Sequence, residues 1–326
     1  MPWRSVAVLL SASMATACGA LDADATGRDS AGDSEESDGA VPDASHRDEE
    51  HISDGGNASP SDARVPDSDD DTGPTFAQGP SHCAVTDTTV VCEHEVVAFR
   101  GGAVTRNVYY QTPLGEAPAA GWPAVVLYQG SLYGPSVTWG ALDASFPHGG
   151  FYQGLLQAML LDNGFTVIAP AAASELAWAT NTGTYLVSTD HQFILALLDA
   201  ILLEGRFGPV DAERLYATGI SSGGYMTSRM AVTYPGVFSA LAIQAGSYAT
   251  CSGPVCVVPP SLPADHPPTL FLHGDADTTV PIDTARRYHS ALEQGGFETA
   301  FLTEVGGEHA WNRDAPVEIT DWFMHH

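Results

Sequence analysis

Residues Ala217-Thr218-Gly219-Ile220-Ser221-Ser222-Gly223-Gly224 decide how this 326-residue chain is read. They place Gly-x-Ser-x-Gly between two contrasting stretches. Before it, Arg214-Leu215-Tyr216-Ala217 has the pattern of a short buried strand; after it, Tyr225-Met226-Thr227-Ser228-Arg229-Met230-Ala231 has that of a helix. The pattern alone arises by chance in loops rich in glycine and serine. Between strand and helix it acquires a mechanical meaning, because the serine must ride a sharp, strained turn over the end of a sheet. Glycines two residues before and two after remove the Cβ atoms that would collide there.

A serine on such an elbow needs an acid and then a histidine downstream, in that chain order, if the fold is an α/β-hydrolase. Pro268-Thr269-Leu270-Phe271-Leu272 is an apolar strand leading into His273-Gly274-Asp275-Ala276-Asp277. Asp277 then lies in a loop at the carboxyl end of a strand, where ligands and catalytic groups gather on such sheets. A further strand, Thr299 to Val305, leads into Gly306-Gly307-Glu308-His309-Ala310-Trp311. The expected triad is Ser221, Asp277 and His309.

Other readings compete at each position. Asp275 rivals Asp277 for the acid role, although short carboxylates also cap turns. His273 is expected to bond to backbone. Asp190, His191 and Glu204 fall on or near a predicted helix, where capping or surface placement explains them, and His325 and His326 are expected to be solvated.

The oxyanion donors follow from the same template. The N–H of Ser222, next after the nucleophile, is one; the other comes from the loop after Ala124-Val125-Val126-Leu127-Tyr128, from Ser131 or Gly130, with Ser131 preferred. In the expected mechanism His309 takes the Ser221 proton, Asp277 holds the imidazole and its charge, and an acyl-enzyme forms and is hydrolysed. Such chemistry calls for no metal and no organic cofactor, and the histidines lack His-Glu-x-x-His spacing.

Three compositional zones divide the chain. Residues 1–17 carry Arg4, an apolar run and small residues ending Ala15-Thr16-Ala17, a signal-peptide pattern too short to span a bilayer. Cleavage before Cys18 suits an ordinary site or a lipoprotein site, so Cys18 is a possible lipid acceptor. Residues 18–80 are rich in Asp, Ser, Gly and Pro, and are expected to form a disordered, self-repelling acidic tether. Residues 81–326 are long enough for one catalytic domain with a substantial core.

The chain holds 40 acidic residues against 12 arginines, a formal net charge of −28, which argues against nucleic acid as a partner. Membrane association is expected only through a lipid on Cys18. With Cys18 set aside, four cysteines fall into two close pairs, Cys83 with Cys92 and Cys251 with Cys256. Two local disulfides fit an exported protein, extracellular or held at the cell surface.

The remaining pattern is regular. Val90 to Phe99 and Val104 to Thr112 read as an antiparallel hairpin turning at Gly101-Gly102. Strands near 124–128, 165–169, 214–218, 239–244, 269–273 and 299–305 alternate with helices over Tyr152–Leu161, Asp190–Leu203, Tyr225–Thr233 and Ile282–Leu292. That order predicts a mainly parallel central sheet flanked by helices, the α/β-hydrolase fold.

Gly219-Ile220-Ser221-Ser222-Gly223-Gly224-Tyr225, with His273-Gly274-Asp275-Ala276-Asp277 and Glu308-His309-Ala310-Trp311, resembles the extracellular polyhydroxyalkanoate depolymerases, above all the medium-chain-length type. The resemblance covers most of residues 83–325. It implies hydrolysis of ester bonds in a water-insoluble polyester, with nucleophile, acid and base on Ser221, Asp277 and His309. Exposed aromatic groups near the catalytic loops would aid adsorption to a solid; Tyr133, Trp139, Trp178, Tyr225 and Trp311 are candidates, each equally well explained as core. Two rivals stand beside this reading: a surface esterase for soluble or carbohydrate-linked esters, and a non-catalytic lipoprotein on the same scaffold.

Overall fold

The computed structural model describes residues 73–182 and 184–326. The signal peptide read at 1–17, Cys18 and the tether as far as residue 72 lie outside the described residues. The chain order begins β1 (Cys83–Val85), β2 (Thr89–Cys92), β3 (Glu95–Gly101), β4 (Val104–Gln111) and β5 (Trp122–Tyr128). It continues α1 (Pro135–Thr138), β6 (Leu142–Asp143), α2 (Gly150–Asp162), β7 (Thr166–Pro170), α3 (Thr189–Leu202), β8 (Val210–Ile220) and α4 (Ser222–Thr233). Then come β9 (Ala240–Gln244), β10 (Thr269–Gly274), α5 (Ile282–Gly295), β11 (Thr299–Glu304) and α6 (Ala315–His325).

An eight-stranded sheet in the order β11-β10-β9-β8-β5-β7-β4-β3 forms the centre, parallel from β11 to β7 and antiparallel at β4 and β3. β7, β9 and β10 are buried along their whole length because both faces are covered. Side chains alternate across β5. Val125 and Leu127 join Leu156 and Leu160 of α2 and Ile319 and Phe323 of α6 on one face. Ala124, Val126 and Tyr128 join Phe193 and Leu197 of α3 and Met226 and Met230 of α4 on the other. α5 covers a third cluster with Ala285, Tyr288 and Leu292, while Arg286 and Arg287 face outward.

Two sequence expectations need correction. The arm read as one strand from Val90 to Phe99 is two strands in different sheets. β2 turns back onto β1 in register Cys83↔Cys92, where the disulfide joins them, and β3 pairs with β4 around the Gly101-Gly102 turn. The end of the segment read as a tether is also not free. Ala77 N–H donates to Asp162 Oδ2 at 2.9 Å, Asn163 Nδ2 donates to Thr75 O at 2.9 Å, and Phe76 packs on the core beside α2. The second disulfide, Cys251–Cys256, closes the loop after β9.

Candidate active site

Ser221 sits between β8 and α4 with φ 57° and ψ −119°, a region that residues with a side chain rarely enter. Its neighbours impose the turn. Ser221 N–H donates to Gln244 O at 3.1 Å, and Tyr225 N–H returns to Ser221 O at 3.0 Å. A Cβ on Gly219 would stand 2.5 Å from Tyr128 O, and one on Gly224 would stand 2.8 Å from Gln244 O. Only glycine lets these backbones approach so closely.

Asp277 is buried, and both of its oxygens are occupied. Oδ1 accepts the N–H groups of Thr279 and Val280, each at 2.8 Å, and Oδ2 accepts His309 Nδ1–H at 2.7 Å. Burial pushes its pKa up, but the hydrogen bonds from His273, His309 and Val280 outweigh that effect and hold the carboxyl well below the usual carboxylate range. His273 Nε2 donates to Val280 O at 2.8 Å and lies 3.3 Å from Asp277 Oδ2, so it braces the acid loop as expected. Asp275 is engaged elsewhere. Its Oδ1 accepts Gly306 N–H at 2.6 Å, closing a turn at the end of β11.

The loop carrying His309 is pinned by residues that sequence reading passed over. His148, at φ 54°, donates from Nδ1 to His309 O at 2.8 Å and accepts Trp311 N–H at 2.9 Å. From the opposite side, Gln244 Nε2 donates to Ala310 O at 2.8 Å and Gln244 Oε1 accepts Asn312 N–H at 3.2 Å. One signal was visible in advance: Gln244 is a polar residue closing an otherwise apolar strand.

Gly130 lies against the elbow, since a Cβ placed there would be 3.9 Å from Ser221 Cβ. Among the described residues, neither the Gly130 nor the Ser131 N–H donates to a backbone acceptor, whereas Leu132 N–H is taken by Leu176 O at 2.7 Å. Ser222, at the start of α4, faces the same loop, its Oγ 3.5 Å from Gln129 O. The Gln129 side chain is a staple between loops. It donates to Glu175 O at 2.9 Å and accepts Ala172 N–H at 2.9 Å.

Several side chains depart from expectation. Asp190 is neither a cap nor a surface group: it is buried 2.5 Å from the Arg106 guanidinium and also accepts Ala179 N–H at 2.7 Å. His191 bonds through Nδ1 to Tyr234 OH at 3.0 Å, while Glu204 is exposed. His326 is not simply solvated, because its ring packs 4.2 Å from that of Trp322 and Nε2 lies 3.2 Å from Glu298. Trp139, Trp178, Tyr225 and Trp311 are buried, so the aromatic adsorption surface is not there. Tyr133 is half-buried, edge-on to Phe146 and His148.

A sheet, elbow and Asp–His pair of this kind have clear relatives. The model of the Prolyl oligopeptidase family matches residues 194–252. Over 242 residues, 73% of this chain and 86% of the relative, the sequence is 50% identical to a poly(3-hydroxyoctanoate) depolymerase of Pseudomonas fluorescens. The chain belongs to the polyhydroxyalkanoate depolymerase family. A shorter match, 31% identical over 103 residues (31% of this chain and 34% of the relative), joins it to acetylxylan esterase A of Aspergillus oryzae. Among solved structures, the acylaminoacyl peptidase of Pyrococcus horikoshii superposes with a TM-score of 0.53 at 17% identity, over 72% of this chain and 42% of that one. That likeness is one of fold alone. This member of the depolymerase family is an α/β-hydrolase and a serine ester hydrolase.

Proposed function

We propose that the chain is an exported depolymerase cleaving the ester bonds of a medium-chain polyhydroxyalkanoate, with Ser221 as nucleophile, His309 as base and Asp277 as acid. With Nδ1–H committed to Asp277, His309 offers Nε2 to the Ser221 hydroxyl, which is too weakly acidic to attack unaided. As Ser221 Oγ bonds to the ester carbonyl carbon, its proton passes to His309. Asp277 stays ionised and stabilises the imidazolium. The oxyanion is received by the N–H of Ser222 and by that of Ser131 or Gly130. Collapse expels the alcohol end of the chain with the proton from His309. Water, activated by the same histidine, then releases the acyl end from Ser221.

The observation that carries the substrate is the 50% identity to a poly(3-hydroxyoctanoate) depolymerase across 86% of its length. The rim around the site agrees with it. Loops leaving the carboxyl ends of β5, β7, β9 and β11 expose Leu132, Leu176, Val255, Val257 and Val305 at 55–84% of their surface. Residues 129–142, 176–189 and 245–264 contain no charged side chain in a chain of net charge −28. The adsorbing surface in this reading is aliphatic rather than aromatic. The acetylxylan esterase match favours a second reading, a carbohydrate-linked or other soluble ester as substrate.

Export is supported by both disulfides and by the pattern of residues 1–17, and no helix among the described residues is long and apolar enough to cross a membrane. A lipid on Cys18 and an acidic spacer behind it belong to the same proposal. The test is a poly(3-hydroxyoctanoate) latex treated with the purified chain and with Ser221→Ala, followed by turbidity and acid release. Clearing by the parent alone is expected; cleavage of soluble esters without clearing would replace the polyester reading with the second one.

A further inference from the structure

Nucleophile and base reach the site on separate elements, the β8–α4 elbow and the loop after β11, with two strands between them. One residue is bonded to both. Gln244, at the end of β9 and fully buried, accepts Ser221 N–H through its main-chain oxygen at 3.1 Å. Through its side chain it donates to Ala310 O at 2.8 Å and accepts Asn312 N–H at 3.2 Å, on the segment that follows His309. We infer that Gln244 is a positioning residue that sets the register of His309 against Ser221. The inference rests on the reading of Ser221 as nucleophile and His309 as base.

The chemistry of the side chain carries the argument. The loop presents one acceptor and one donor to the same point, and a primary amide answers both at once. A carboxylate of identical shape can accept from Asn312 but meets the Ala310 oxygen with a second acceptor. A thioether answers neither. The partner on the other side of the loop divides the work: His148 takes His309 O and Trp311 N–H, and Gln244 takes Ala310 O and Asn312 N–H. Four successive residues therefore each have a main-chain group fixed. His148 is exposed and does not hold the elbow, whereas Gln244 ties the loop to the residue that bears the hydroxyl. A displacement near 1 Å at a reacting group lowers turnover by about 10²-fold, so a single clamp of this kind governs rate more than binding.

Gln244→Glu and Gln244→Met in the full chain test this, with kcat and KM for a soluble p-nitrophenyl ester measured from about pH 6 to pH 8 beside a thermal melt. A buried glutamate has a raised pKa. Protonated, it regains a donor toward Ala310 O and mimics the amide. The expected result for Gln244→Glu is kcat about 10²-fold below the parent at the alkaline end, with KM within about 2-fold. The ratio to the parent then recovers toward unity as pH falls. Gln244→Met should stay low throughout. Because the protonated glutamate restores both bonds, that variant carries the test even where Gln244→Met does not fold. Parent-like kcat in a folded Gln244→Met, or a loss in Gln244→Glu that does not recover on acidification, would overturn the inference. Activity retained by Ser221→Ala would instead overturn the nucleophile reading on which it rests.

Discussion

Where five of the six parallel strands begin, the chain turns on glycine: Gly121, Gly164, Gly208, Gly236 and Gly296 precede β5, β7, β8, β9 and β11, all with positive φ. Where four of those strands end, residues with side chains occupy that half of the map: Leu132 after β5, Ser174 and Glu175 after β7, Ser221 after β8 and Ala245 after β9, whereas β11 ends on Gly306. At the first edge glycine adopts these conformations without the Cβ penalty. At the second, each such residue costs about 1–3 kcal/mol, and the strain persists because the surroundings over-determine it. Ser221 is held by Gln244 O and crowded by its glycines; Leu132 is tied to Leu176, and Glu175 to Gln129. Strain and candidate chemistry share one edge of the sheet.

Substitutions at each edge should separate strain from chemistry. At the elbow, Ser221→Gly removes both the hydroxyl and the strain, so kcat falls by about 10⁶-fold while the melting temperature rises. A melting temperature below that of the parent would break the contrast between the edges. Asp277→Asn keeps an acceptor for Thr279 and Val280 but turns a donor toward His309, fixing the wrong tautomer. Turnover should drop about 10⁴-fold, read as kcat on a soluble ester.

The same variant tests the depressed Asp277 pKa. A carboxyl held low contributes stability that is present above its unfolded pKa of about 3.9 and is lost as pH falls through the folded value. The stability gap between parent and Asp277→Asn should therefore narrow only below about pH 4. Narrowing at neutral pH would contradict the assignment.

Smaller effects distinguish the oxyanion loop from the glycine turns. Ser131→Pro deletes an N–H and should lower kcat by about 10²–10³-fold; an unchanged kcat would move the second donor to Gly130. At the opposite edge, a Cβ on Gly164 meets nothing nearer than Trp122 at 3.6 Å, but φ is +85°. Gly164→Ala should cost about 1–2 kcal/mol in a denaturant melt and leave kcat untouched.

What could be foreseen from the chain follows the same division. The buried strands announced themselves as apolar runs, and the strained turn at Ser221 and the bonded pair Asp277 and His309 as polar residues placed just past them. Local pattern was sufficient there because a parallel strand is uniformly apolar and its end is where polarity returns. The misses were groups defined by distant partners. Asp190 looked like a helix cap because its guanidinium partner, Arg106, lies 84 residues away. Gln129 and His148 showed no motif, and Gln244 only a polar end to an apolar strand, because their work is to hold the backbone of other loops. α6 was passed over although Ala315, Ile319, Trp322 and Phe323 repeat at helical spacing on its buried face. The hairpin boundary failed because β2 pairs with β1 and β6 in a separate sheet, a pairing that the residue pattern of the arm does not display.

The most direct measurement is the site of covalent attachment of a serine-reactive phosphonate, mapped by peptide mass spectrometry on the parent and on His309→Ala. The adduct should lie on the peptide containing Ser221 in the parent, with labelling slowed by orders of magnitude in His309→Ala. An adduct on another serine, or none on a folded and active chain, would contradict the account of Ser221 as the nucleophile.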